Sequence, residues 1–148
     1  MKKFILPCVV LTIVLLSFIT NANAQKKEKD KVLANKVYTI EFTDKGAKKP
    51  KPIADEISFK SEKLNSKFMT TENKLPAGPY TVSVESSASP KTITFQSESK
   101  NVDGEELKWD GTITDEAIEG TAVVTNKKGK TVHDYSFTGT LKAKPGKK

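Results

Sequence analysis

The sequence predicts an all-β domain, an antiparallel up-and-down barrel of about eight strands. Three observations carry that expectation. Apolar residues alternate with polar ones in successive short segments from Lys36 onward, which is the period-2 signature of half-buried strands. Breaker-rich stretches such as 44–52 and 71–79 separate the segments, and no stretch of ten residues shows a helical period. The stretch Glu105–Leu141 also repeats one pattern three times, a large apolar residue two places before a Gly-Thr pair: Trp109-Asp-Gly111-Thr112, Ile118-Glu-Gly120-Thr121 and Phe137-Thr-Gly139-Thr140.

Taken in order, Tyr38, Ile40 and Phe42 share one face of the first strand. Ile57 and Phe59 mark the second, with a short helix over Pro52–Ile57 as its only local rival. Leu64 and Phe68 place a third strand over 64–70. Tyr80, Val82 and Val84 define the fourth, and Ile93 and Phe95 the fifth. Asp103-Gly104 predicts a tight hairpin, because both residues accept positive φ. Leu107, Trp109 and Ile113 define the sixth strand. A reversal at Asp115-Glu116 leads to the seventh, with Ile118 and Val124. Asn126-Lys-Lys-Gly129 turns into the eighth, with Tyr135, Phe137 and Leu141. One parity collects these apolar residues and the other is mostly Thr, Ser, Lys, Glu and Asp. A closed barrel satisfies that pattern and removes exposed edges. A two-sheet β-sandwich shows much the same alternation and is the rival architecture.

The N-terminus predicts export. Lys2 and Lys3 precede an apolar run from Phe4 to Ile19, and Asn21-Ala22-Asn23-Ala24 supplies an A-x-A cleavage pattern. Residues 1–24 are therefore expected to be a secretory signal peptide, cut after Ala24, with a retained anchor as the competing reading. Cys8 lies inside the apolar run without a lipidation pattern, so the mature chain carries no cysteine, disulfide or thiolate metal site. The expected location is secreted or periplasmic. Residues 25–35 lack periodicity and are expected to be a disordered basic linker, 36–142 the barrel domain, and 143–148 a basic tail.

The formal charge of +7 is unevenly spread. Lys2 and Lys3 contribute two positive charges, residues 26–36 hold five lysines against Glu28 and Asp30, and four lysines follow residue 141, which leaves residues 37–141 at about −2. The chain has no arginine. Nucleic-acid recognition draws on a basic folded face, on Arg forks and on aromatic platforms, so no nucleic-acid partner is expected. The lysine tails suit solvation or weak electrostatic contact with an anionic envelope surface.

Catalysis finds little support in the residues. His133 is the one histidine; it shares parity with Tyr135 and Phe137, so it is placed at the barrel mouth, where a hydrogen-bonded structural histidine is the ordinary role and a polar contact to ligand the functional one. No nucleophile elbow, H-E-x-x-H pair or phosphate-cradling loop is present. Asp103, Glu105, Glu106 and Asp110 crowd one hairpin without calcium-loop spacing. No enzyme activity, cofactor or metal is expected.

The strand glycines carry two readings. They set curvature at barrel corners, with an aromatic over the bare backbone, or they leave volume beside Trp109, Tyr135 and Phe137 for a ligand. The eight-strand meander in an exported chain of this size resembles the lipocalin and calycin group, with Trp109-Asp-Gly111 standing in reverse order to the Gly-x-Trp of the lipocalin first strand. The resemblance implies a small hydrophobic molecule in the barrel interior and the 44–52 loop as a lid. The candidate lining residues are Phe42, Phe59, Phe68, Phe95, Trp109, His133, Tyr135 and Phe137. A monomeric protein-interaction or structural envelope module with a packed core is the alternative.

Overall fold

A computed structural model describes residues 31–143 with the exception of 86 and 88. The signal-peptide expectation and residues 144–148 of the basic tail lie outside the described residues. Eight strands form a closed antiparallel barrel in sequence order: β1 (Val37–Asp44), β2 (Ile53–Lys60), β3 (Lys63–Ser66), β4 (Gly78–Glu85), β5 (Thr92–Lys100), β6 (Glu106–Thr114), β7 (Ala117–Thr125) and β8 (Thr131–Leu141). One short helix, α1 (Lys67–Thr71), follows β3. The ring closes where β1 pairs with β8, Phe42 standing opposite Phe137 and Ile40 opposite Gly139. The architecture is thus the up-and-down barrel, not the sandwich.

The alternation that predicts the strands also fills the core. Tyr38, Ile40, Phe42, Ile57, Phe59, Phe95, Trp109, Ile113, Ile118, Tyr135 and Phe137 are all buried. Val82 and Val84 are only half-buried, because β4 pairs with β3 at just two positions and its lower half runs past that neighbour. The alternative helix over Pro52–Ile57 is replaced by β2.

Three expectations require correction. The third strand stops at Ser66, and Lys67–Thr71 is helical, so that Met69 is buried and Phe68 only partly so. The cause is local hydrogen bonding. Ser66 caps the helix, its Oγ accepting from the Met69 N–H at 3.1 Å, and it donates to Asp55 Oδ2 at 2.6 Å. Asp55 Oδ1 accepts from the Phe68 N–H at 3.1 Å. Two of the helix's orphan N–H groups are satisfied in this way, which a continued strand would not achieve.

The second correction concerns residues 31–35, placed in the disordered linker. Leu33 is fully buried at the base of the barrel. The Asn35 N–H donates to the Phe59 carbonyl at 2.7 Å and the Phe59 N–H to the Lys36 carbonyl at 3.0 Å, extending the β1–β2 ladder downward. A lone leucine in a charged stretch has no period to reveal it.

The third concerns Asp103-Gly104. Only Gly104 has positive φ, at 84°. The loop is built on Asn101, whose Oδ1 accepts from the N–H groups of Asp103 and Glu105. The 126–130 loop repeats this design: Asn126 Oδ1 accepts from Lys128 and Lys130, and Gly129 has φ 75°. Asn is favoured there because its side chain imitates a backbone turn.

Candidate functional site

Each predicted lining residue except His133 and Phe68 is a buried inward side chain; His133 and Phe68 lie at the rim and are half-buried. Phe42, on β1, gathers most of the others. Its ring centroid lies 5.6 Å from Phe68, 5.7 Å from Trp109, 5.5 Å from Tyr135 and 6.0 Å from Phe137. Trp109 and Phe137 meet each other at 5.5 Å. These are contact distances for tilted and edge-to-face aromatic pairs, so the space beside Trp109, Tyr135 and Phe137 is occupied by the Phe42 ring. Phe59 and Phe95 form a separate, lower group, 5.1 Å apart, with Tyr80 and Tyr38 on Phe59.

The repeated glycines serve this packing. A Cβ on Gly111 would lie 2.3 Å from the tip of Phe95, and one on Gly120 2.2 Å from the Asp110 carbonyl and 2.7 Å from Phe137. The cross-strand row runs Phe42, Phe137, Gly120, Gly111, Phe95. Two phenylalanine rings therefore fold over two glycines, and the notch the sequence suggests is filled from both sides.

At the mouth, His133 stacks on Tyr135 at 5.4 Å, and its Nδ1 stands 3.5 Å from Asp44 Oδ2. Lys45 Nζ pairs with Asp134 Oδ1 at 2.9 Å on the same rim. Burial, together with the nearby Asp44 charge, raises the Tyr135 phenol above its ordinary value. No nucleophile stands in this cluster. The loop after β1, the expected lid, is exposed from Gly46 to Pro52.

Sequence reasoning placed Tyr38 inward but missed Asp55, Leu75 and the interior hydroxyls of Ser97 and Ser99. Asp55 is an inward carboxylate, buried because α1 covers it. Leu75, in an irregular stretch, is buried and donates its N–H to the Met69 carbonyl. Tyr38 Oη, Ser97 Oγ and Ser99 Oγ are buried with no hydrogen-bond partner among the described residues. Desolvation pushes the Tyr38 phenol up to about 12. Alternation alone cannot distinguish these polar groups from outward ones shifted by a bulge.

Open hollows lie on the outer wall, and among the described residues two of them border the glycine-bearing strands. One, of about 380 Å³, lies over the Gly111–Gly120 backbone among Asp110, Thr112, Glu119, Thr121 and Thr138. The other, of about 580 Å³, is bordered by Thr81, Gln96, Glu98, Lys108 and Asp110. Its charged groups and Gln96 are already engaged: Gln96 Nε2 donates to Asp110 Oδ2 at 3.0 Å, and Lys108 lies 3.7 Å from Glu98 and 3.6 Å from Glu106. A hydrogen bond with Glu106 raises the Glu98 carboxyl and lowers that of Glu106. Within the β5–β6 hairpin, Glu98 and Glu106 thus share Lys108 while Asp110 takes Gln96 and Glu105 takes Asn101, and among the described residues no group of three His, Cys, Asp or Glu side chains could hold a metal.

Fold and interior together define a closed eight-stranded antiparallel barrel with an aromatic core. No protein-family model matches the chain, and no curated protein or solved structure matches it either.

Proposed function

We propose that the chain is an exported, non-catalytic β-barrel that acts through its outer surface as an interaction or structural module of the cell envelope. The observation that carries this reading is the position of Phe42, whose ring occupies the space that a small hydrophobic ligand would need beside Trp109, Tyr135 and Phe137. The leader-like N-terminus supports export, and the Thr-rich outer rows support a wet, contact-making exterior. The eight-strand meander supports the lipocalin-like resemblance in architecture, while the ligand that resemblance implies competes with the core for the same volume. The reading takes the barrel as a monomer.

Titration of the protein with oleate, following Trp109 emission, tests it. Emission is expected to stay unchanged. A saturable shift with one equivalent bound would return the function to an interior ligand site.

A further inference from the structure

We infer that the loop end of the barrel, opposite the end at which β1 begins and β8 finishes, docks on an anionic lipid surface. This deepens the proposal that the barrel works through its exterior. The β1–β2 loop (45–52) and the β7–β8 loop (126–130) flank the paired strands β1 and β8 at one end of the barrel, where the Lys45 N–H donates to the carbonyl of Asp134 on β8 at 2.9 Å. Between them they present Lys48, Lys49, Lys51, Lys127, Lys128 and Lys130, all exposed, and neither loop contains a carboxylate. The carboxylates beside them are engaged: Asp134 with Lys45, and Asp44 facing His133. Glu72, Asp103 and Glu105 lie on the other two loops of this end, where Glu105 accepts from Asn101 Nδ2.

A second, independent observation falls at the same end. Among the described residues, the large apolar side chains left exposed are Val102, fully so, and Val132. Val102 tips the β5–β6 loop, which touches the lysine-bearing one: a side chain built on Gly104 would come 3.1 Å from Lys127 Cβ. Val132 opens β8 beside Lys130. Lysines on proline-containing or Asn-anchored loops, with apolar tips among them, match a surface that offers diffuse negative charge above hydrocarbon. The chain lacks arginine, whose fork would favour discrete phosphate recognition. A purely polar acidic partner would leave Val102 without a role. The wall, by contrast, carries Glu41, Glu98, Glu106, Asp110 and Glu119, so among the described residues this end alone combines clustered positive charge with exposed large apolar side chains.

Co-sedimentation of the mature chain, residues 25–148, with phosphatidylglycerol–phosphatidylcholine vesicles and with pure phosphatidylcholine vesicles tests the inference. Binding is expected to the anionic vesicles alone, and to weaken with salt. The triple variant Lys48→Glu, Lys49→Glu, Lys51→Glu should lower partitioning at least about a hundredfold, at about fivefold for each of the three lysines lost and more from the glutamates that replace them. Val102→Asp should weaken it further, and Val102→Trp should add a blue-shifted emission component only with anionic vesicles. Unchanged binding of the triple variant, combined with loss on changing Lys144, Lys147 and Lys148 to Gln, would overturn the inference in favour of the tail. So would equal binding to dextran sulfate with no effect at Val102. The oleate titration separates the two readings: a Trp109 response sinks the filled-core proposal and leaves the vesicle result standing, while loss of vesicle selectivity does the reverse.

Discussion

Replacing Asp55 with Ala probes how α1 is held. The carboxylate is buried and accepts two hydrogen bonds, from Ser66 Oγ at 2.6 Å and from the Phe68 N–H at 3.1 Å. A hydrogen bond to a charged group contributes about 1.5–3 kcal/mol. The substitution also releases the cost of keeping a carboxylate out of water, which offsets part of the loss. Ser66 can still cap Met69 by itself, so the net destabilisation should be about 2–3 kcal/mol. For a domain of this size that corresponds to a fall in Tm of about 10 °C. Asp55→Asn keeps an acceptor for Phe68 and should lose about half as much. Urea melts of Asp55→Ala, Ser66→Ala and the double variant should give a coupling energy of about 1 kcal/mol or more, as expected for directly bonded partners. An Asp55→Ala protein within about 0.5 kcal/mol of the parent, or strictly additive variants, would refute the account of α1 as a helix pinned by this carboxylate.

Other expectations follow from the same packing. Gly120→Ala should cost at least about 3 kcal/mol, since the new methyl would meet the Asp110 carbonyl at 2.2 Å and backbone cannot give way as a side-chain tip can; a thermal melt near parental would show the strand free to shift. Tyr38→Phe removes a buried hydroxyl without a hydrogen-bond partner among the described residues and should be neutral or stabilising by about 1 kcal/mol, so a clear loss would reveal a bound water or neighbour that the hydroxyl serves. Because the Tyr38 phenol is raised to about 12 by burial, the neutral form is favoured in the fold. Its contribution is complete below the ordinary tyrosine value of about 10 and is lost as pH rises through about 12. Phenolate absorbance should therefore appear together with unfolding for Tyr38, and titration without unfolding would contradict its burial. His133→Ala should change stability by less than about 0.5 kcal/mol, the ring being half-exposed and 3.5 Å from its carboxylate partner, and a Tm drop of several degrees would assign it a structural role at the rim.

How much of this was legible before the structure depends on whether a feature has a period. Phe42, Trp109 and Phe137 belong to strands long enough for alternation to fix their direction, and all three point inward. Ser66 and Phe68 sit in a segment of seven residues where strand and helix place Leu64 alike, and the deciding partner, Asp55, is eleven residues away on another strand. Sequence spacing carries no trace of that bond. Leu33 is invisible for the opposite reason: it has no apolar neighbours in register, and only the chain's return beneath Phe59 gives it a core to enter.

The repeated Gly-Thr pattern lies between these cases. Its strands were readable, but whether its glycines left a cavity was not, because the answer depends on which residues stand across the register. In the row Phe42, Phe137, Gly120, Gly111, Phe95, bulk and absence of bulk alternate around the barrel instead of along the chain. Had Gly111 faced another small residue on β5, the same repeat would have lined a hole. Facing Phe95, it takes in the ring tip, and Gly120 does the same for Phe137. Interiors packed this way tolerate little added volume, which makes the interior the most constrained part of the molecule. The freedom to vary charge and side chain lies in the rim loops, and there the lysines and Val102 stand together.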